Sequence, residues 1–148
     1  MQGPMTAKSA SPIGYLANKA ARAFNRTMER RLRELGVLPA QFPVLLALED
    51  GCARSQKSLV EIVGTEQPTM VVNLARMERD GLISRETDPA DRRSTLIRLT
   101  PDAIAKAKSV AAIRDEINAS ASQGLSIDEV ASLRLFLLYI IDNLNKYQ

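Results

Sequence analysis

Between Ser55 and Thr100 the spacing of apolar positions changes from helical to helical across a turn, and then to alternation. Leu59, Ile62 and Val63 fall on one face of a helix that Ser55 can cap and Gly64 can end. Thr65-Glu66-Gln67-Pro68 makes a tight turn, and proline suits the first turn of the next helix, where its missing N–H has no helical partner. That helix is predicted over 68–80, with Met70, Val71, Leu74 and Met77 inward and Thr69, Val72, Asn73, Arg76 and Arg79 outward, before Gly81. Leu82–Thr87 and Thr95–Thr100 then alternate around the turn formers of 88–94, which predicts a hairpin. A lone two-stranded hairpin is marginal in water, so it must lean on the helices and project its tip away from them. Two short helices, a turn and such a wing form a winged helix-turn-helix pattern.

The flanks are helical. Residues 1–11 are small, polar and unpatterned and predict a mobile tail. Ile13, Leu16, Ala17, Ala20, Phe24, Met28, Leu32 and Leu35 mark an apolar stripe over 12–35. Lys19, Arg22, Arg26, Arg30 and Arg33 make a second stripe, either a solvated face or a flank that favours DNA electrostatically. A further helix is predicted over 39–50, with Pro43 tolerated in its first turn. Pro101 starts another, which fades after Ile117. Ser126-Ile127-Asp128-Glu129 has the form of a capping box, and from Leu133 to Ile141 the last helix is apolar almost all round. A chain this small can hardly cover such a helix alone, which predicts that a second copy covers it. The expected fold is therefore mainly α with a small β-hairpin wing. A single domain spans 12–148, with the winged helix-turn-helix at about 37–100 and the dimerisation helices at 12–35 and 101–148.

Composition narrows the function. With 45% hydrophobic and 25% charged residues, the 148-residue chain has an ordinary soluble composition. Its net charge of +3 is only a mild pointer to an anionic partner. From Glu66 to Arg98 the cations are all arginines, and an equal set of acids offsets them, so they must be aimed to be useful. There is no histidine and one cysteine, Cys52, which removes His-based triads, His-containing metal sites and an internal disulfide. No apolar run reaches membrane-spanning length and the N-terminus lacks a signal peptide's apolar core, so the expectation is a cytoplasmic protein without cofactor, metal or membrane partner.

Several short motifs, in this order, carry a family resemblance: Gln56-Lys57-x-Leu59, Glu66-Gln67-Pro68-Thr69-Met70, Arg76-Met77-Glu78-Arg79-Asp80-Gly81-Leu82-Ile83, and Asp88-Pro89-x-Asp91-Arg92-Arg93 followed by Leu99-Thr100-Pro101. From Ile13 to Tyr147 the chain resembles the MarR family of bacterial transcription regulators, nearer its SlyA-like branch. The resemblance implies a homodimer joined through its first and last helices, here Ile13, Leu16, Leu133, Leu137, Ile140, Ile141 and Leu144. It also implies a small aromatic effector, for which Phe24, Met28, Phe42 and Leu46 are candidate lining residues that look the same as plain core.

The leading expectation is a homodimeric regulator, a repressor, on a pseudo-palindromic stretch of double-stranded DNA, with the 68–80 helix in the major groove. Gln67, Thr69 and Asn73 can bond base edges or phosphates, Arg76 a guanine or a phosphate, and Val72 a thymine methyl. Ser55 and Gln56 are placed for phosphate oxygens. Arg92 and Arg93 would enter the minor groove on the wing, with Asp91 the acceptor that orients an arginine. An enzyme fits poorly, since no phosphate loop or nucleophile-base pair is in sight. A winged-helix module for protein interaction, without operator binding, is the other alternative.

Overall fold

The computed structural model describes residues 11–147. The tail expected at the N-terminus lies almost wholly outside them. The described elements run α1 (Ile13–Glu34), α2 (Phe42–Ala47), β1 (Arg54–Ser55), α3 (Gln56–Val63), α4 (Gln67–Arg79), β2 (Ile83–Thr87), β3 (Thr95–Leu99), α5 (Pro101–Ala121) and α6 (Ile127–Tyr147). This is the expected mainly helical fold with a wing. The chain forms two compact units, one ending at Arg114 and the other beginning at Asp115.

In the first unit one core gathers Leu32 of α1, Val44 and Leu45 of α2, Leu59 of α3, Met70, Leu74 and Met77 of α4, Ile97 and Leu99 of β3, and Ala103, Ala107 and Val110 of α5. α4 and α5 contribute residues three or four apart, the spacing that brings side chains to one face. Gly64 ends α3 at φ 72°, a left-handed conformation that costs glycine little, and its N–H donates to Val60 O. Pro68 lies in the first turn of α4, as the missing N–H requires.

Two faces are turned from expectation. Ile62 is 54% exposed, and Val60 packs on the core beside Leu59 and Val63. On α4, Val71 is 49% exposed, because Met70, Leu74 and Met77 already define the inner stripe and Val71 is one helical step off it. The helix expected over 39–50 is shorter. Residues 38–41 form a turn closed by Gln41 N donating to Leu38 O, and α2 begins only after it. In the other direction, α5 continues past Ile117 to Ala121.

The hairpin is part of a three-stranded antiparallel sheet of order β1-β3-β2. The added strand, β1, pairs Arg54 with Ile97 and Ser55 with Leu96, while β2 and β3 pair from Ile83–Leu99 out to Thr87–Thr95. Ile83 of β2 and Ile97 and Leu99 of β3 are buried, so the hairpin is rooted in the core as far as the Arg85–Ile97 pair and projects outward beyond it.

In the second unit, α6 starts with a complete capping box: Glu129 N donates to Ser126 Oγ at 3.1 Å, and Ser126 N donates to Glu129 Oε2 at 2.7 Å. None of its described residues is buried, although Leu133, Leu135, Phe136, Leu137, Leu138, Ile141 and Leu144 are large and apolar. No helix among the described residues is long and apolar enough to cross a membrane.

Candidate nucleic-acid interface

The wing is wired by its own acids. Asp88 N donates to Ser94 O and closes the loop, and Asp88 Oδ1 accepts from Ala90 N at 2.9 Å. Asp91 Oδ1 accepts from the backbone N–H of Arg93 at 3.0 Å, while Asp91 O accepts from Ser94 N at 2.9 Å. Asp91 therefore holds Arg93 by its main chain, a turn device typical of aspartate. The Arg92 and Arg93 side chains are exposed, and among the described residues neither has an ion pair. The result is a stiff tip whose two cations remain free for an outside anion.

The base of the wing is anchored by other arginines. Arg98 donates from Nη1 to Gly51 O at 2.6 Å and from Nη2 to Glu86 Oε1 at 3.3 Å. Arg54 donates from Nε to Ala47 O at 2.8 Å and pairs with Asp50 at 2.5 Å. Arg85 pairs with Glu78 of α4 at 3.1 Å, tying β2 to that helix. These exposed pairs contribute little each to stability, but they commit Arg54, Arg85 and Arg98 to geometry.

α4 presents Gln67, Thr69, Val72, Arg76 and Arg79 to the exterior, and Val72 is 70% exposed. Thr69, Val72 and Arg76 lie three and four residues apart, which puts them on one side of the helix. Arg76 approaches Asp80 only at 3.9 Å and stays available. Gln67 Oε1 accepts from Gln56 Nε2 at 2.9 Å, so these two candidates sit side by side at the N-terminal ends of α4 and α3. Ser55 is half-buried and its hydroxyl accepts from Ser58 N at 3.1 Å, which makes it the cap of α3. Asn73 is half-exposed, and its Nδ2 donates to Ala40 O at 2.7 Å.

Of the remaining candidates, Phe24 is exposed on α1, whereas Met28, Phe42 and Leu46 are half-buried and pack on the core. Ile13, Leu16, Leu133, Leu137, Ile141 and Leu144 are exposed and Ile140 is intermediate. No group of acidic or sulfur ligands able to hold a metal occurs among the described residues.

Two features escaped the sequence. β1 is two residues long, too short to show a period. Gln41 is the one buried polar side chain of the described residues, 2% exposed. Its Oε1 accepts from Leu38 N at 3.1 Å and its Nε2 donates to Asp80 Oδ2 at 3.2 Å. The signal that could have found it is an amide standing alone in the apolar run from Leu38 to Leu48.

A MarR family model matches residues 35–94, which covers the whole of α2, α3, α4 and the wing tip. The solved transcriptional regulator PA3341 is 32% identical, with a TM-score of 0.82 over 91% of this chain and 99% of that one. A MarR family transcriptional regulator from Listeria monocytogenes, solved with 26mer DNA, is 21% identical and superposes with a TM-score of 0.84 over 90% of this chain and 89% of its own. The transcriptional regulator SlyA, also 21% identical, gives 0.84 over 92% and 96%. At that identity the last two speak for the fold alone, while the first extends the likeness over nearly the full chain. With the motif order, the winged helix and a relative of this identity in agreement, the chain belongs to the MarR family of transcriptional regulators.

Proposed function

We propose that this chain is a homodimeric, sequence-specific DNA-binding regulator, a repressor, that sets α4 in the major groove and the wing in the minor groove of a pseudo-palindromic operator. The observation that carries the reading is the wing tip: a rigid loop that holds two unpaired arginines clear of the core. Guanidinium groups aimed this way suit phosphates and the narrow minor groove of A·T-rich DNA. On α4, Thr69, Gln67 and Arg76 supply polar contacts and Val72 an apolar one, suited to a thymine methyl. Ser55 and Gln56, at the N-terminus of α3, favour a phosphate through the end of the helix as much as through their side chains.

A second copy covers the apolar face of α6, and the exposed Ile13 and Leu16 of α1 take part in the same pairing. Dimerisation doubles the reading helices, and half-sites about one helical turn apart follow from the two-fold symmetry. A small aromatic molecule lodged beside Phe24, Met28, Phe42 and Leu46 would release the operator by moving the segments that carry α4.

The exposed Val71 and Val72 would suit a protein partner in place of DNA. Two free arginines on a wing suit an anion better. Selection of bound sequences from randomised DNA separates the two: a palindromic site is expected, and no enrichment over random duplex would favour the protein-interaction module.

A further inference from the structure

Asn73 and Asp80 are seven residues apart on α4, two helical turns, and so lie on one side of the helix about 10 Å apart. Both are held by the same short turn. Ala40 O accepts from Asn73 Nδ2 at 2.7 Å, and Gln41 Nε2 donates to Asp80 Oδ2 at 3.2 Å. The turn itself is closed twice, by Gln41 N donating to Leu38 O and by Leu38 N donating to Gln41 Oε1. A carboxylate at the C-terminus of a helix faces the negative end of the helix dipole and is unfavourable there unless donors meet it. Asp80 sits at that end, and the buried Gln41 amide is one such donor. Burying an amide is costly unless it is bonded, and no buried side-chain polar atom among the described residues lacks a partner.

We propose that Gln41, Asn73 and Asp80 form a latch that fixes the pitch of α4 on its scaffold, and that Asn73 is a positioning residue and not a reader of a base. This rests on the reading that α4 lies on DNA. Gripping the helix at two points two turns apart stops it from rocking, so Thr69, Val72 and Arg76 meet the groove without first being ordered. Arg76 lies between the two grips and approaches the Asp80 carboxylate only at 3.9 Å, so it stays available for a partner.

The test uses the full-length protein and the duplex that the wild type selects from randomised DNA. Asn73→Ala and Gln41→Met are each expected to weaken binding to that duplex about twofold to thirteenfold, the range for losing one well-formed hydrogen bond. Both should keep the wild-type base preference at every position and leave binding to random duplex and the salt dependence unchanged. The double variant should cost little more than either single one, because both release the same element. Asp80→Asn, which still accepts from Gln41, should stay within about twofold of wild type, since its exposed contact with Arg76 is worth little. Asp80→Ala should behave like Gln41→Met, and it carries the test if the buried substitution does not fold. A change of preference at one base position in Asn73→Ala, or wild-type affinity in both Gln41→Met and Asp80→Ala, overturns the latch. If the wild type selects no sequence, the DNA reading fails instead. Amide exchange of the free protein then decides the latch: faster exchange along α4 in Gln41→Met or Asp80→Ala supports it, and unchanged exchange refutes it.

Discussion

α4 and α6 both turn side chains outward, but what they turn outward differs in kind. α4 buries Met70, Leu74 and Met77 completely and exposes threonine, glutamine and arginines around a single valine patch. α6 buries nothing and exposes leucines, isoleucine and phenylalanine. An outward face of donors and cations is soluble alone and can wait for an anionic partner. An outward face of aliphatic side chains is a standing cost in water and calls for another apolar surface. The same chain thus carries two unfinished surfaces, and their chemistry suits the two occupants proposed for them: a duplex for one and a second copy for the other.

The contrast can be broken most violently at α6. Leu137→Glu with Ile141→Glu would place charges in the proposed seam, at a cost of several kcal/mol for unpaired buried charge. Monomeric or insoluble protein without operator binding is expected in sedimentation and gel-shift experiments, and a soluble variant that still sediments as a dimer would remove α6 from the interface. Next comes the inner side of α4. Leu74→Ala empties a fully buried position and should cost about 2–5 kcal/mol in urea unfolding. The folded fraction should remain dimeric, because the proposed seam lies elsewhere. Smallest is the start of α6, where Ser126→Ala deletes one half of the capping box and should cost roughly 1 kcal/mol. Circular dichroism melts should show fraying there without loss of dimerisation.

The sequence-legible parts are those with local causes. Met70, Leu74 and Met77 announce α4 by their spacing, and the capping box of Ser126 and Glu129 appears with both of its bonds. The wing follows from its turn residues, and Asp88 and Asp91 hold the loop through backbone amides near them in the chain. What stayed hidden depends on partners far along the chain. Gln41 meets Asp80 across 39 positions, and Arg98 reaches Gly51 across 47. No period records such pairs. Ile62 and Val71 mislead because an aliphatic residue one step from the inner stripe looks the same in sequence whether it turns in or out. β1 needs β3 to exist at all, so it leaves no pattern of its own.

Contact between the wing and DNA through Arg93 can be read from the salt dependence of binding. With the duplex selected by the wild type, affinity should be measured across a range of salt for the wild type, Arg93→Ala and Arg93→Lys. Loss of one phosphate contact per chain should reduce the magnitude of the log-log slope by about 0.9 per chain in Arg93→Ala and weaken binding to many sequences alike. Arg93→Lys should recover part of the affinity, since lysine keeps the charge without the planar fork. A folded, dimeric Arg93→Ala protein with wild-type affinity and an unchanged slope would contradict the account.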